Sequence, residues 1–526
     1  MTARSIRSGL GRLATMFSVA TLAIASPVYL RLLESPGLAP LLRLALLVQI
    51  LPAIALWLVD LALLRLAPVA VWRAWRGVLY LIVVMSFGRQ AQVSLKLQGE
   101  VGGVAEPVVM AFALLAGVTV VVLAFRALGL YLAAFALPLA AWTLYVSAML
   151  GSFNPPRTAR VAAASGPPLF VLIFDGLDRE VFSHDGRVRK DWPALRRLAD
   201  MSVSYTDATT NYGNTCPSVA TLLTGRLLPS LPPLTGRCLE AVPNLGSSNV
   251  LSDLAREREV RVYGQSLRYC FDAAFRCRGT AYLQARRPWL PLLQHWLPNG
   301  IRTATGVDRV LGYSEHTYTL MVFERFLADI TAAGAPGTVF YLHILLPHEP
   351  YIFDETGGIH APSYPGRWRD EREYAAVLRD YTRQARFVDR LVGRFLARLD
   401  AEGLTDRSVI ALTSDHGIWP FAAFAPPRFV GEFEINSSRP RVALMLHAPG
   451  LAPGLTAADY QHVDFRRLLL ALLRGNGAPL VERPAHGRVP GEKLFCSHGV
   501  WYVRRDGARW APRGGAGGGG ACRGPA

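Results

Sequence analysis

Val409-Ile410-Ala411-Leu412-Thr413-Ser414-Asp415-His416-Gly417 is the stretch whose reading decides the fold. A short continuous apolar run suits a strand buried on both faces of a parallel sheet. This one stops on an aspartate, a histidine and a glycine. Phe170-Val171-Leu172-Ile173-Phe174-Asp175-Gly176 has the same design more than two hundred residues earlier. The apolar runs predict strands over 169–174, 338–345, 408–413 and 441–447. Between them lie helical patterns. In Tyr374 to Leu399 the apolar Phe387, Leu391, Phe395 and Leu399 recur every four residues, with Arg386, Asp389, Arg390 and Arg394 on other faces. Asp464 to Leu473 reads as a second helix. Alternation of this kind predicts an α/β sheet with helices on both faces.

In such a sheet ligands bind beyond the carboxyl ends of the strands. Asp175 and Asp415 each end an apolar run, and two carboxylates at one sheet edge repel unless a cation lies between them. His416 adds a nitrogen ligand beside Asp415. A single strand-end aspartate is more often a cap or turn residue. Two such ends, one reading Asp-His-Gly, weaken that plain reading. Thr215-Cys216-Pro217-Ser218-Val219-Ala220-Thr221-Leu222-Leu223-Thr224-Gly225 supplies the remaining chemistry. Pro217 suits the first turn of a helix, so Thr215 falls at its N-terminus, where free N–H groups favour anions. A threonine hydroxyl becomes a usable nucleophile when a metal stabilises its alkoxide. The alternative is that Thr215 or Ser218 merely caps the helix. Asp175, Asp415 and His416 are therefore the candidate metal ligands, with Thr215 the candidate nucleophile for a phosphate or sulfate ester.

The chain has 526 residues, 51% of them hydrophobic, with mean hydropathy +0.24. The excess lies in the first 150 residues, where apolar stretches fall at 13–33, 44–64, 69–88, 106–125 and 128–150. Each is about the twenty residues that a spanning helix needs. The third is the weakest, with Arg73, Arg76 and Arg89 at its edges. Arg4, Arg7 and Arg12, then Arg65, Arg73 and Arg76, then Arg126, favour a cytoplasmic N-terminus and cytoplasmic loops. Five spans place everything after residue 150 outside the cytoplasm; four would place it inside the cytoplasm. The expected organisation is a transmembrane region over 1–150, a linker over 151–167, a catalytic domain over 168–504 and a disordered Gly/Arg-rich tail over 505–526.

The net charge of +17 is almost all arginine, with only Lys96, Lys190 and Lys493 as lysines, a bias that fits GC-rich bacterial coding. No basic stripe with interleaved aromatics accompanies it, so nucleic acid is not an expected partner. None of the six cysteines forms a C-x-x-C pair, which argues against a zinc ribbon, and Cys270 with Cys277 could close a short loop in an extracytoplasmic domain.

These segments resemble the alkaline phosphatase superfamily in its sulfatase-like branch, over about Leu169 to Leu473. Pro347-His348-Glu349-Pro350-Tyr351 is similar to the Pro-His-x-Pro-Tyr segment of that branch, and Val442 to Gly450 and His462-Val463-Asp464 also match. True sulfatases carry Cys or Ser in a C/S-x-P-S-R element, later oxidised to formylglycine. Here the first position is Thr215, the arginine position is Val219, and Cys216 is out of register. Threonine at that position resembles lipoteichoic-acid synthases, phosphoglycerol transferases and phosphoethanolamine transferases. The resemblance implies five N-terminal helices and one divalent metal ion, Mn, Mg or Zn, at Asp175, Thr215, Asp415 and His416. It implies that His348 contacts the transferred group or the leaving oxygen. Several transferases have glutamate where this chain has Asp175. The implied protein is a multi-pass protein of the bacterial cytoplasmic (inner) membrane with an extracytoplasmic catalytic domain. It would move a phospholipid headgroup through phospho-Thr215 to an envelope glycan or lipid acceptor, or, alternatively, act as a sulfatase-like hydrolase. Weaker expectations are a site role for His462, a surface or supporting role for Asp178, and simple packing for Cys216.

Overall fold

A computed structural model describes residues 3–25, 43–94, 166–228, 248–265, 314–363, 371–417, 440–474, 491–497, 500–505 and 510–512, with scattered residues in 118–141 and 239–279. Contacts divide the chain into Met1–Pro155 with Ala281–Ser314, and Pro156–Thr280 with Glu315–Ala526.

In the first unit, the helices Arg43–Leu66 and Val69–Ser86 are long and apolar enough to cross a membrane, and Gly9–Ala25 is a shorter apolar helix. The third apolar stretch, weakest in sequence, is thus one of the two. Pro68 separates the pair, because the residue before a proline avoids the helical region. Ala67 is accordingly extended at φ −110°, ψ 157°. Polar side chains join the helices. Gln49 donates to Thr21 at 2.8 Å, and Ser86 donates to the Leu22 carbonyl at 2.9 Å. Arg76, expected in a loop, instead makes a bidentate pair with the fully buried Asp60, which also accepts from Trp72 at 3.0 Å. The expected spans at 106–125 and 128–150 lie mostly outside the described residues.

The second unit is built on a mixed sheet. Its strands are β1 (Leu169–Phe174), β2 (Val203–Tyr205), β3 (Val260–Gly264), β4 (Phe275–Cys277), β5 (Val339–Ile344), β6 (Val409–Ser414), β7 (Leu444–His447) and β8 (Gly454–Thr456). The order is β8-β2-β7-β6-β1-β5-β3-β4, with β6, β1, β5, β3 and β4 parallel. The run at 441–447, expected to be parallel like the others, forms β7 antiparallel to β6. Its apolar run reported burial on both faces, which holds for all four residues of β7, and burial carries no strand direction.

Alternation along β1 shows how both faces are covered. Leu169, Val171 and Ile173 belong to the core packed with helices Thr215–Thr224, Val250–Leu254 and Phe465–Leu473. Phe170 turns the other way. It stacks on Phe340 of β5 at 4.9 Å and meets Phe326 and Phe395 of helices Ser314–Asp329 and Glu371–Ala401 edge-on. The long helix exceeds its predicted bounds by a few residues at each end, and Leu391, Phe395 and Leu399 are fully buried as its spacing required. The predicted tail is partly ordered. Arg505 ends the strand Val500–Arg505, which pairs with Glu492–Ser497 and Ala511–Pro512, and Trp510 packs on Phe495. The rest of 505–526, and nearly all of the 151–167 linker, lies outside the described residues.

Phe395→Ala removes the ring that Phe170 and Phe326 enclose. It should destabilise the sheet unit by about 3–5 kcal/mol, measured as a shift in the denaturant midpoint of the full chain in detergent.

Candidate functional site

The register of the central strands sets the site. Phe174 lies opposite Ser414 on one side and Ile344 on the other, so β1, β5 and β6 end together. The next residues of β1 and β6 are Asp175 and Asp415, which are 1% and 0% exposed. After Asp175 the chain must turn at once, and Gly176 does so at φ +72°, which favours glycine. Its N–H and that of His416 both donate to Asp415 Oδ1, at 3.0 and 2.8 Å. The other carboxylate oxygens are less well satisfied. Asp415 Oδ2 and Asp175 Oδ1 are buried without a hydrogen-bond partner.

Thr215 begins the helix Thr215–Thr224, which Gly225 ends in the left-handed region. Its Oγ1 is 3.4 Å from Asp175 Oδ2 and 3.4 Å from His416 Nε2, and it keeps partial access to solvent. The capping alternative does not describe this hydroxyl, since its neighbours are a carboxylate and an imidazole. Ser218 is fully buried and tied to Thr210 and the Asp415 carbonyl, which leaves Thr215 as the hydroxyl of the pair with access to solvent. Cys216 is disulfide-bonded, as are Cys277 and Cys496; simple packing is therefore corrected to a covalent constraint beside Thr215. Cys270 lies outside the described residues.

Three histidines approach the two carboxylates, each held by its Nδ1. His416 Nδ1 donates to the Gly417 carbonyl at 2.8 Å, and His348 Nδ1 donates to the Glu349 carbonyl at 2.9 Å. His343, on β5, meets the Tyr269 hydroxyl through Nδ1. An Nδ1–H pinned by a carbonyl leaves the lone pair on Nε2, the arrangement found in metal-ligating histidines. His416 Nε2 is 3.7 Å from Asp175 Oδ1 and 3.4 Å from Asp415 Oδ2, and His343 Nε2 is 3.8 Å from Asp175 Oδ2. Ligand atoms of Asp175, His348 and His416 lie within 4.8 Å of one another, as do those of Asp175, His343 and Asp415.

The electrostatics have one theme. Burial, and then the neighbouring Asp415, push the Asp175 carboxyl well above the usual range. Burial alone would raise Asp415 too, but His416 and His343 pull it below its ordinary value. One negative charge is tolerated here and a second is not, unless a cation joins them. Burial pushes the His343 imidazole down to about 4, so it brings no positive charge of its own. Burial opposes protonation of His348 as well, yet Asp175 and Glu349 raise it overall. Orphaned carboxylate oxygens, inward Nε2 lone pairs and mutually repelling carboxylates fit a divalent cation.

The supporting residues were mostly hidden in the sequence. Tyr381 Oη accepts from the Asp178 N–H and donates to the Gly176 carbonyl, both at 2.9 Å. One turn on, Gln384 donates to the His348 carbonyl at 2.8 Å and accepts from the N–H groups of Ile352 and Phe353. Gln384 is fully buried in the middle of the long helix, and a polar residue on its apolar stripe was the available signal. His343 gave the same signal inside an apolar strand. His462 is also fully buried and binds the carbonyls of Ser414 and Asp415 at 2.8 and 3.1 Å, so it positions the aspartate loop. Asp178 is not a surface charge. It is 4% exposed and caps the short helix Arg179–Phe182 through Glu180 N–H. On the Thr215 side, Asn211 donates to the Leu494 carbonyl and accepts from Val463 N–H, while the N–H of Gly213 reaches the Cys496 carbonyl. The C-terminal strands thus brace the approach to Thr215.

Strand-end carboxylates, inward histidines and a helix-start threonine on a mixed α/β sheet define an enzyme of the alkaline phosphatase superfamily. The Sulfatase family profile matches residues 167–475, more than half of the chain, and the protein belongs to that family, in the sulfatase-like branch. The family is metal-dependent, and the buried Asp/His cluster has the donors to hold the ion. No curated protein matches the chain. Among solved structures, it is similar to the phosphonate monoester hydrolase SpPMH from Silicibacter pomeroyi, at 17% identity and TM-score 0.45 over 66% of this chain and 88% of that one. It is also similar to the phosphonate monoester hydrolase of Agrobacterium radiobacter, at 14% and 0.41 over 66% and 88%. A third is a 2-O GAG sulfatase, at 14% and 0.44 over 65% and 81%. Likenesses at these identities say nothing of activity.

Asp415→Asn keeps the backbone N–H contacts but removes the charge. It should lower bound divalent metal by about tenfold or more, measured by elemental analysis of the purified protein after dialysis.

Proposed function

We propose that the protein is a membrane-anchored phosphotransferase that moves a phospholipid headgroup through a phospho-Thr215 intermediate to an envelope glycan or lipid. The observation that carries this reading is the position of Thr215 Oγ1, 3.4 Å from both Asp175 and His416 at a helix start. A cation held by Asp175, Asp415 and His416, with Thr215, would lower the threonine pKa and neutralise charge on the ester oxygens. Thr215 Oγ1 attacks phosphorus as the bond to the leaving oxygen breaks. The free N–H groups at the start of its helix would stabilise charge on the phosphoryl oxygens. His348, with Nδ1 held by the Glu349 carbonyl, offers Nε2 to hold a proton at the leaving oxygen. An acceptor hydroxyl then takes the phosphoryl group and frees Thr215. If water is the acceptor, the same steps give a phosphoesterase, the second reading.

Sulfate-ester cleavage by formylglycine is disfavoured, because Thr215 cannot form it and Cys216 is buried and disulfide-bonded. The same disulfides support an extracytoplasmic domain, since such bonds persist in oxidising compartments. Two helices able to cross a membrane support the anchor, and a lipid donor suits an active site tethered to its bilayer.

Thr215→Ala should abolish turnover while the fold stays intact, checked by an unchanged denaturant midpoint, and acid-quenched mass spectrometry should find the headgroup adduct on the Thr215 peptide of the wild type only. Turnover that survives the substitution would sink the mechanism, and turnover without an added acceptor would favour the phosphoesterase. A periplasm-active phosphatase reporter fused after residue 160 should be active; a reporter active only in the cytoplasm would overturn the proposed side.

A further inference from the structure

Asp175 Oδ1, Asp415 Oδ2 and His343 Nε2 are all buried without a hydrogen-bond partner. The motifs account for the first two. His343 belongs to no motif at the site, yet it is fully buried and aimed at the same carboxylates. We propose that His343 is a further ligand of the cation at Asp175, Asp415 and His416, so that the centre carries two imidazole nitrogens. The proposal rests on the metal-dependent reading above.

The geometry argues against a plain hydrogen bond. His343 Nε2 is 3.8 Å from Asp175 Oδ2, too far to donate. That spacing does suit two ligands of one ion, because metal bonds of about 2.0–2.2 Å put ligand atoms roughly 3–4 Å apart. The neighbouring separations, 3.4 Å for His416 to Asp415 and 3.7 Å for His416 to Asp175, fall in the same range. The ring has little freedom to turn away. His343 sits on β5 between Ile173 of β1 and Gly264 of β3, and Tyr269 holds its Nδ1. Room for Tyr269 exists because residue 264 is glycine; a Cβ there would come within 2.2 Å of the tyrosine ring. His416 enters from the loop after β6 and His343 from within the sheet. A donor set of two carboxylates and two imidazoles favours zinc-like ions over magnesium or calcium, which prefer oxygen.

The test is electron spin-echo envelope modulation of the full-length protein in detergent, loaded with manganese(II). Two histidine nitrogen couplings are expected in wild type and in His348→Gln, and one in His343→Gln, whose manganese affinity should fall about tenfold or more. One coupling in wild type, or loss of the second in His348→Gln, would overturn the proposal. Wild type and His348→Gln decide the matter even if His343→Gln does not fold. Absence of both bound manganese and bound zinc, by elemental analysis, would overturn the metal-dependent reading and this ligand with it, a result distinct from a one-histidine centre.

Discussion

Two carboxylates buried at the ends of neighbouring strands are the constraint on which the rest of the site depends. Asp175 and Asp415 cannot both stay charged in a water-poor environment without a cation or a proton between them. The surroundings are arranged for the cation. Backbone N–H groups satisfy one oxygen of Asp415, one oxygen of each aspartate is left open, and imidazole nitrogens converge on the gap. A protein that needed only stability would gain from apolar residues in these places. Keeping charge here therefore has a chemical rather than a structural purpose.

Rigidity comes from the layer beneath and beside the two carboxylates. The three central strands end in register, which fixes where the aspartates emerge. Tyr381 and Gln384 lie one turn apart on the long helix and hold the Gly176 turn and the His348 loop by their backbones. His462 does the same for the Asp415 loop. Asn211 and the C-terminal strands hold the segment before Thr215, and a disulfide at Cys216 adds a covalent tie. These groups act on backbone carbonyls and amides, so they fix positions without competing for the ligand atoms.

The helical unit follows different rules. Its helices meet through Gln49–Thr21 and Ser86–Leu22 contacts and through the Asp60–Arg76 pair, where the polar groups satisfy one another in an apolar setting. Arginine at 76 read as a loop residue in sequence because its charge was visible and its partner, sixteen residues earlier, was not.

The sequence alone determined the sheet's apolar strands, the long helix and the four motif residues Asp175, Thr215, Asp415 and His416. Each of these is announced by local pattern: burial by apolar runs, a helix face by spacing, a candidate ligand by an acid or imidazole at a run's end. Tertiary structure alone decided the antiparallel direction of β7, the disulfide at Cys216, the ordering of 510–512, the burial of His343 beside the carboxylates, and the backbone contacts of Gln384 and His462. The physical reason is common to all of them. Strand direction, covalent pairing and hydrogen-bond partnership are relations between segments far apart in the chain, and no local pattern records which segment will arrive alongside.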